Sequence, residues 1–495
     1  MTILALVLLG AGPLTDIAAE EYDLDIEIDL GSLDMSSPEG QGPEDLSPEV
    51  EEIPAAKGTA EEGTTGEEAD REEANRAKEG APGAAISDIP AAVFSRAERP
   101  LSLYGYLVNY STANLYSSGH DPAADLGNVL YLRLKGDAEP EDFLQFHFEL
   151  SYSGSTGNQN FYALMDDYGL IAADPEAGAE KNPYEDLVQE IELDHLWGSV
   201  SLALLDLQFG KIPLAWGTGY VFNPTSRAAG IAFMDTVAEE TPGTLAVSAG
   251  FQLPRYYSLQ GYVAFQDKYH NSGYSLEDGA FDNLPWGWKI TGLAGAFDFS
   301  FGMVKEVIRA GEGDYLRAYY GTGDFVGALG PFGVYGEAAA AFPGGNSFSL
   351  DFQGWDPLSS LEASAGFDYE FDNLEITLRG EYYYYGPGTA DPDKYDNSLV
   401  LSGAAQVLGR DYCFLNAERT FFDYLSVAAG TLINLHDYSA IILPEMSYEI
   451  ASDFTVSAGS FLFYSGKSGE FGGDYGPLPV DLTTSAVFLR VKLSF

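Results

Sequence analysis

Cysteine is almost missing from this chain. Cys413 is the only one in 495 residues, so no intramolecular disulfide can staple the fold. Histidine is scarce too, at five residues (His120, His147, His195, His270 and His436), and no Cys/His motif with metal-ligand spacing emerges. Bases are few: 24 Lys and Arg stand against 76 Asp and Glu, a formal net charge of −52. That balance excludes a surface built to grip phosphate backbones, and with it nucleic acid as a partner. No stretch approaches the roughly 18 unbroken apolar residues of a membrane-spanning helix. No sustained 3.6-residue period appears either, which excludes helix bundles and parallel α/β folds. Catalytic constellations are equally thin. His195 near Ser199 and Ser201 is the nearest approach to a nucleophile–base pair, and the carboxylate pairs Asp166–Asp167 and Glu239–Glu240 fall in loop sequence. The expectation is a protein without enzymatic activity, cofactor or metal.

What is abundant is glycine (56), tyrosine (32) and phenylalanine (30). The first residues hold an apolar core from Ile3 to Leu9 and small residues at Ala18 and Ala19, the outline of a secretory signal over 1–19 without its positive n-region. Residues 20–100 are rich in Glu, Gly, Ala and Pro and carry about a third of the net negative charge. Such a segment cannot bury enough apolar surface to offset its ordering entropy, and is expected to be a disordered acidic linker.

From Leu101 to Phe495 the texture changes and stays uniform. Segments of about ten residues alternate apolar and polar, divided by Gly, Asp, Pro and Asn. "FLQFHFELSY" sets Leu144, Phe146, Phe148 and Leu150 against Gln145, His147, Glu149 and Ser151. "LEITLRGEYYYY" and "TTSAVFLRVKLSF" behave alike. About eighteen such segments are legible, with sixteen as the near alternative. Short turns such as "LPRY" and "IASD" alternate with long polar connectors at 154–188, 213–243, 267–287, 343–358, 386–410 and 465–481. Long loops at one end and short turns at the other describe an all-β, antiparallel, up-and-down transmembrane barrel. An even strand count places both termini, and the acidic linker, on the periplasmic side. Tyr110, Tyr116, Tyr152, Tyr464 and the run 382–385 fall near segment ends, where amphipathic rings suit the headgroup level.

By alternation, Arg133, Lys135, Glu149, Glu192, Arg317, Glu362, Arg379, Glu381, Arg490 and Lys492 belong to the inner face. Mixed signs there can set up a transverse field in a wet channel. The most individual stretch is "LQFGKIPLAWGTGYVFNPTS", residues 207–226. It is too apolar to stand in water, and Asn223–Pro224 halts any continuing strand. It is expected to fold inward.

This run, with its G-K, W-G and N-P elements, resembles bacterial outer-membrane porins and related 18-stranded polysaccharide-export barrels. The resemblance implies an outer-membrane location in a diderm bacterium and passage of small hydrophilic solutes or sugars through a lumen narrowed by loop 211–243. It also implies that Lys211, Trp216, Tyr220, Asn223, Asp235 and Glu239 lie at or near the constriction. The terminal Phe495 resembles the signature by which barrel-assembly machinery recognises such chains. A sugar-specific or polysaccharide-export barrel, and a structural or adhesin barrel with a closed lumen, remain alternatives. Outer-membrane lipid is the expected surroundings; the oligomeric state is open.

Overall fold

A computed structural model describes residues 101–115, 125–159, 187–228, 240–266, 283–311, 314–345, 347–396, 399, 405–466, 469–471 and 485–495. The signal sequence expected over 1–19 and the acidic linker over 20–100 lie outside the described residues.

Eighteen strands follow in chain order: β1 (Ser102–Asn114), β2 (Leu126–Glu141), β3 (Leu144–Gly157), β4 (Val188–Leu202), β5 (Leu205–Pro213), β6 (Gly243–Leu253), β7 (Tyr257–Ala264), β8 (Trp286–Ala294), β9 (Phe297–Gly311), β10 (Asp314–Leu329), β11 (Phe332–Ala341), β12 (Leu361–Phe371), β13 (Ile376–Tyr385), β14 (Asp411–Phe421), β15 (Leu425–Asn434), β16 (Ala440–Ala451), β17 (Phe454–Tyr464) and β18 (Ala486–Ser494). Each pairs antiparallel with its neighbour in sequence, and β18 closes on β1. Every alternating segment read from the sequence became one strand, so the count is eighteen and not sixteen.

The two faces are unlike. On β2, Leu126, Leu130 and Leu132 are exposed while Val129, Tyr131 and Arg133 are buried. On β18, Val487, Leu489 and Leu493 are exposed while Phe488 is buried. The outside is thus an apolar band, and closure gives every strand a neighbour on both sides. A hydrocarbon solvent demands both, because it offers no partner to a free N–H or C=O.

The tyrosines depart from expectation. Tyr110 has no exposed surface; it points inward and meets Phe488 at 5.5 Å between ring centroids. In the run 382–385 the alternation sends Tyr382 outward and buries Tyr383. Tyr464 is exposed, as a headgroup-level ring would be. Position near a strand end did not decide the matter; parity did.

Strand length positions the next feature. β5 has only nine residues, and its pairing with β4 reaches no higher than Leu196 opposite Lys211. Above that point β4 continues to Val188 with no β5 partner, so the chain leaving Pro213 is released beside a taller wall. The seam is closed by the last residue: Gly105 N–H donates to the Phe495 carbonyl and Phe495 N–H donates back to the Gly105 carbonyl, both at 2.9 Å. A side chain at position 105 would meet the Arg133 carbonyl of β2 at 2.1 Å, so β1 needs glycine there to lie against its other neighbour.

Deleting Phe495 removes both terminal seam bonds in a solvent that cannot replace them. The yield of membrane-inserted, heat-modifiable barrel is expected to fall severalfold, read by gel mobility before and after boiling. An unchanged yield would show that these bonds do not matter for assembly.

Candidate functional site

The chain that leaves β5 turns inward and lies against the far wall. Glu337, on β11, accepts the Gly219 N–H at 2.9 Å and the Thr225 N–H at 3.3 Å, and also receives the Thr225 hydroxyl. Glu381, on β13, accepts the N–H groups of Tyr220 (2.7 Å), Val221 (3.2 Å) and Phe222 (2.8 Å), and the Tyr335 hydroxyl at 3.0 Å. Two carboxylates on the inner wall thus satisfy a run of loop amides. Charge-assisted bonds of this kind are worth about 1.5–3 kcal/mol each. Packing adds to it. Phe222 stacks on Tyr383 at 4.1 Å and 6°, within an apolar cluster that includes Tyr412, Phe414 and Leu432.

Two glycines permit the close approach. Gly217 has φ +110°, and a Cβ there would meet Glu337 Oε2 at 2.5 Å. A Cβ on Gly219 would strike the Phe222 carbonyl at 1.9 Å and Glu337 Oε1 at 2.7 Å. Further along, buried Arg227 reaches Glu362 on β12 at 2.6 Å and lies 4.2 Å over the Tyr320 ring.

Of the residues expected at the constriction, Trp216 packs edge-on against Tyr262 at 4.9 Å, with Lys289 Nζ 5.0 Å from its ring. Tyr220 is 40% exposed and lies between the Arg379 guanidinium (3.8 Å) and Phe414 (5.7 Å). The Asn223 carbonyl accepts the Ser226 N–H at 3.0 Å, a turn within the loop. Lys211 sits apart from these. It pairs with outward-facing Leu196 and Leu245, and its ammonium turns along the unpaired edge of β4 to Glu192 Oε1 (2.7 Å) and the Leu193 carbonyl (3.0 Å). Asp235 and Glu239 lie outside the described residues.

The inner-face charges divide into groups. Arg379 bonds Asp368, Arg317 Nε donates to Asn283 at 3.1 Å, and Arg490 donates to Glu445 at 3.2 Å. Lys492 and Lys135 both address the Tyr106 ring, at 4.7 and 5.9 Å. Glu362 holds Arg227, as above, and Glu192 holds Lys211.

Arg133 and Glu149 belong to a denser cluster. Arg133 Nε lies 2.5 Å from Glu149 Oε2, and the same guanidinium bonds Asp194. Lys135 bonds Glu240, where the inward loop returns to the wall. A bulge makes the cluster possible: Glu149 pairs with His195 while the next residue, Leu150, pairs with Leu193. Asp194 is the extra residue, so it and His195 are both buried on the inner face. Asp194 Oδ1 then accepts the Gly243 N–H at 3.0 Å, tying down the start of β6.

Alternation found Arg133, Glu149, Glu362 and Glu381 but not Glu337, Thr225 or Arg227. A lone carboxylate on an inner-face position among small residues, as in "VYGEAAAA", was the available signal for Glu337.

A third group joins the long connectors to the ends of β14 and β15. Glu470 accepts the Leu408 N–H (2.7 Å), the Tyr412 hydroxyl (2.5 Å) and an Asn434 amide hydrogen (2.7 Å). Burial pushes its carboxyl up to about 7.

The fold and the docked loop define a transmembrane up-and-down β-barrel whose interior carries a wall-bound segment. No family model matches the chain, and no curated protein does. Among solved structures it is similar to an engineered protein studied for asymmetric conductivity (13% identity, TM-score 0.39) and to a double mutant and a triple mutant of Rhodopseudomonas blastica porin (each 13% identity, TM-score 0.38). In each comparison the match covers 80% of this chain and 100% of the other. This is a likeness of fold alone.

Two outcomes are expected. Glu381→Ala leaves three loop amides without their acceptor, at roughly 1–3 kcal/mol for each that stays buried. Residues 214–228 should then become sensitive to limited proteolysis in detergent, and equal resistance would refute the docking. For Glu470, the folded protein keeps a proton up to about pH 7 that the unfolded chain releases in the ordinary carboxylate range near 4.5. Stability from this group is therefore greatest at low pH and is lost as pH rises towards 7. Protection of the 405–410 connector in hydrogen exchange, corrected for intrinsic rate, should be stronger at pH 5 than at pH 8. Glu470→Gln should flatten that difference.

Proposed function

We propose that the chain is an outer-membrane porin through which small hydrophilic solutes diffuse passively or with weak selectivity, its bore narrowed by the inward loop. The observation that carries this reading is the docking of residues 219–225 onto Glu337 and Glu381, six and eight strands round the barrel from β5. A loop whose backbone is captured so far from its root occupies cross-section that a plain barrel leaves open. On this reading the free passage lies between the loop and the wall formed by β16, β17, β18, β1 and β2. Glu445, Arg490, Lys492 and Lys135 face it there. Trp216 shapes the loop, Tyr220 and Asn223 line its free flank, and the sequence of the same loop carries Asp235 and Glu239. Lys211 braces the foot of the loop. Selectivity follows from these few groups and not from the bulk charge, because the narrowest section dominates the field a solute meets.

A sugar-specific barrel is the second reading, favoured by the 40% exposed Tyr220 beside Arg379 and Phe414, an aromatic and hydrogen-bonding surface of the kind a sugar meets. A non-catalytic role is supported by His195. Its partners are Glu149, Asp194 and the Thr241 carbonyl, and neither Ser199 nor Ser201 is among them. The C-terminal strand and Phe495 are proposed as the contact for barrel-assembly machinery, and residues 20–100 as a periplasmic linker.

Reconstitution into planar bilayers tests the proposal. Wild type is expected to give discrete conductance steps, and the Glu337→Gln/Glu381→Gln variant larger or noisier ones as the loop leaves the wall. Dose-dependent block by oligosaccharides, lost in Tyr220→Ala, would favour the sugar reading. Absence of steps at every voltage would overturn both and leave a closed structural barrel.

A further inference from the structure

The charged cluster on β2, β3 and β4 holds an arrangement that neither solute diffusion nor loop docking uses. His147 Nε2 lies 2.8 Å from Glu149 Oε1, and His195 Nδ1 lies 3.1 Å from the same oxygen. The three donor atoms all fall within 4.8 Å of one another, and all three residues are buried. Histidine spacing along the chain gave no hint of this, because His147 and Glu149 share one strand face while the bulge at Asp194 turns His195 in from the next strand.

We propose that His147, Glu149 and His195 form a binding site for a borderline divalent transition-metal ion such as zinc, cobalt or copper. Three observations support it. First, the ligand set is two imidazoles and one carboxylate oxygen, a set that suits these ions and not calcium or magnesium. Second, each ligand is oriented from behind, as metal ligands are. The His147 Nδ1 faces Asp137 Oδ1 at 2.6 Å, and the His195 Nε2 faces the Thr241 carbonyl at 3.0 Å. Each ring thereby keeps its remaining nitrogen for the shared centre. Glu149 Oε2 is taken by Arg133 at 2.5 Å, so Oε1, which faces both rings and has Lys135 Nζ 3.5 Å away, is the coordinating oxygen. Third, the network's permanent charges do not balance. Asp137, Glu149, Asp194 and Glu240 contribute four negatives against two positives from Arg133 and Lys135. One divalent ion among neutral imidazoles closes that difference.

The required adjustment falls mainly on the two imidazole rings. Metal–ligand bonds of about 2.0–2.1 Å in a tetrahedral site set neighbouring ligand atoms roughly 3.3 Å apart. The two N···O separations therefore open by a few tenths of an ångström, while the two imidazole nitrogens, within 4.8 Å of each other, draw together to the same spacing. A bound ion would tie β3 to β4 directly beneath residues 240–243, the returning foot of the inward loop. It would also hold His195 against Thr241, and with it the loop's second anchorage. The site does not depend on the porin reading, since a closed barrel would carry it equally.

The test uses the full chain, purified in detergent and stripped with chelator, titrated with cobalt chloride and then zinc chloride. One cobalt per chain is expected, with visible absorption of a low-coordinate site that zinc abolishes. His147→Gln/His195→Gln, checked for folding by heat-modifiable mobility, should lose at least about 100-fold in affinity, and Asp137→Asn about 10–100-fold. Variants at His120, His270 and His436 should bind as wild type. No stoichiometric binding, or binding that survives in the double His variant, would overturn the site. Should that variant fail to fold, copper-loaded wild type decides the matter by electron paramagnetic resonance. Hyperfine structure from two imidazole nitrogens supports the site, and an all-oxygen spectrum refutes it.

Discussion

Two buried carboxylates on the inner wall, Glu337 and Glu381, fix what the barrel contains. Placing a charge away from water is costly unless its oxygens are satisfied. Here they are satisfied by the backbone of a segment that belongs to the other side of the barrel. The dependence runs both ways. The loop amides of Tyr220, Val221 and Phe222 converge on one carboxylate because the chain curls tightly, and they need an anionic acceptor as much as the carboxylate needs donors. Glycines at 217 and 219 are the condition for that approach, since a methyl group at either would occupy the space of a Glu337 oxygen.

The barrel itself rests on a different constraint, and that constraint is what made its architecture readable. In hydrocarbon every strand needs a neighbour on both sides, so segments must be alike in length, alternate without interruption and close on themselves. Those demands are periodic and local, and they leave a trace in each ten-residue window. The eighteen segments therefore mapped onto eighteen strands with ends shifted by a few residues. Inner and outer faces followed from parity for nearly all named charges, Arg133 and Glu381 among them.

Where parity failed, a local irregularity was responsible. The extra residue Asp194 inverts the phase of β4, so Asp194 and His195 share a face that strict alternation would divide. Gly210, at φ +118°, precedes a lysine that stands on the outward parity of β5 and whose ammonium is drawn up the bare edge of β4. Tyr110 shows the complementary error. A tyrosine near a strand end suits a headgroup belt only if parity sends it outward, and β1 sends this one inward. Glu337 stayed hidden for another reason: nothing in its own strand tells that a loop rooted on β5 will arrive to be bound. Contacts between distant segments leave no period in the sequence.

The inward loop ends up held by two chemistries with different susceptibilities. Its outward limb is fixed by carboxylate-to-amide bonds and by aromatic stacking on β11 and β13, interactions sheltered from salt by burial. Its returning limb is fixed to β2 and β4 by an ion pair, a carboxylate-to-amide bond and a histidine contact: Lys135–Glu240, Asp194–Gly243 and His195–Thr241. Loosening the first anchorage frees the middle of the loop but leaves its foot in place. Loosening the second shifts the foot while the docked turn stays seated. A charge-rich anchorage beside a backbone-satisfied one is therefore the part of the interior most open to adjustment by ions, and it is where the two histidines converge.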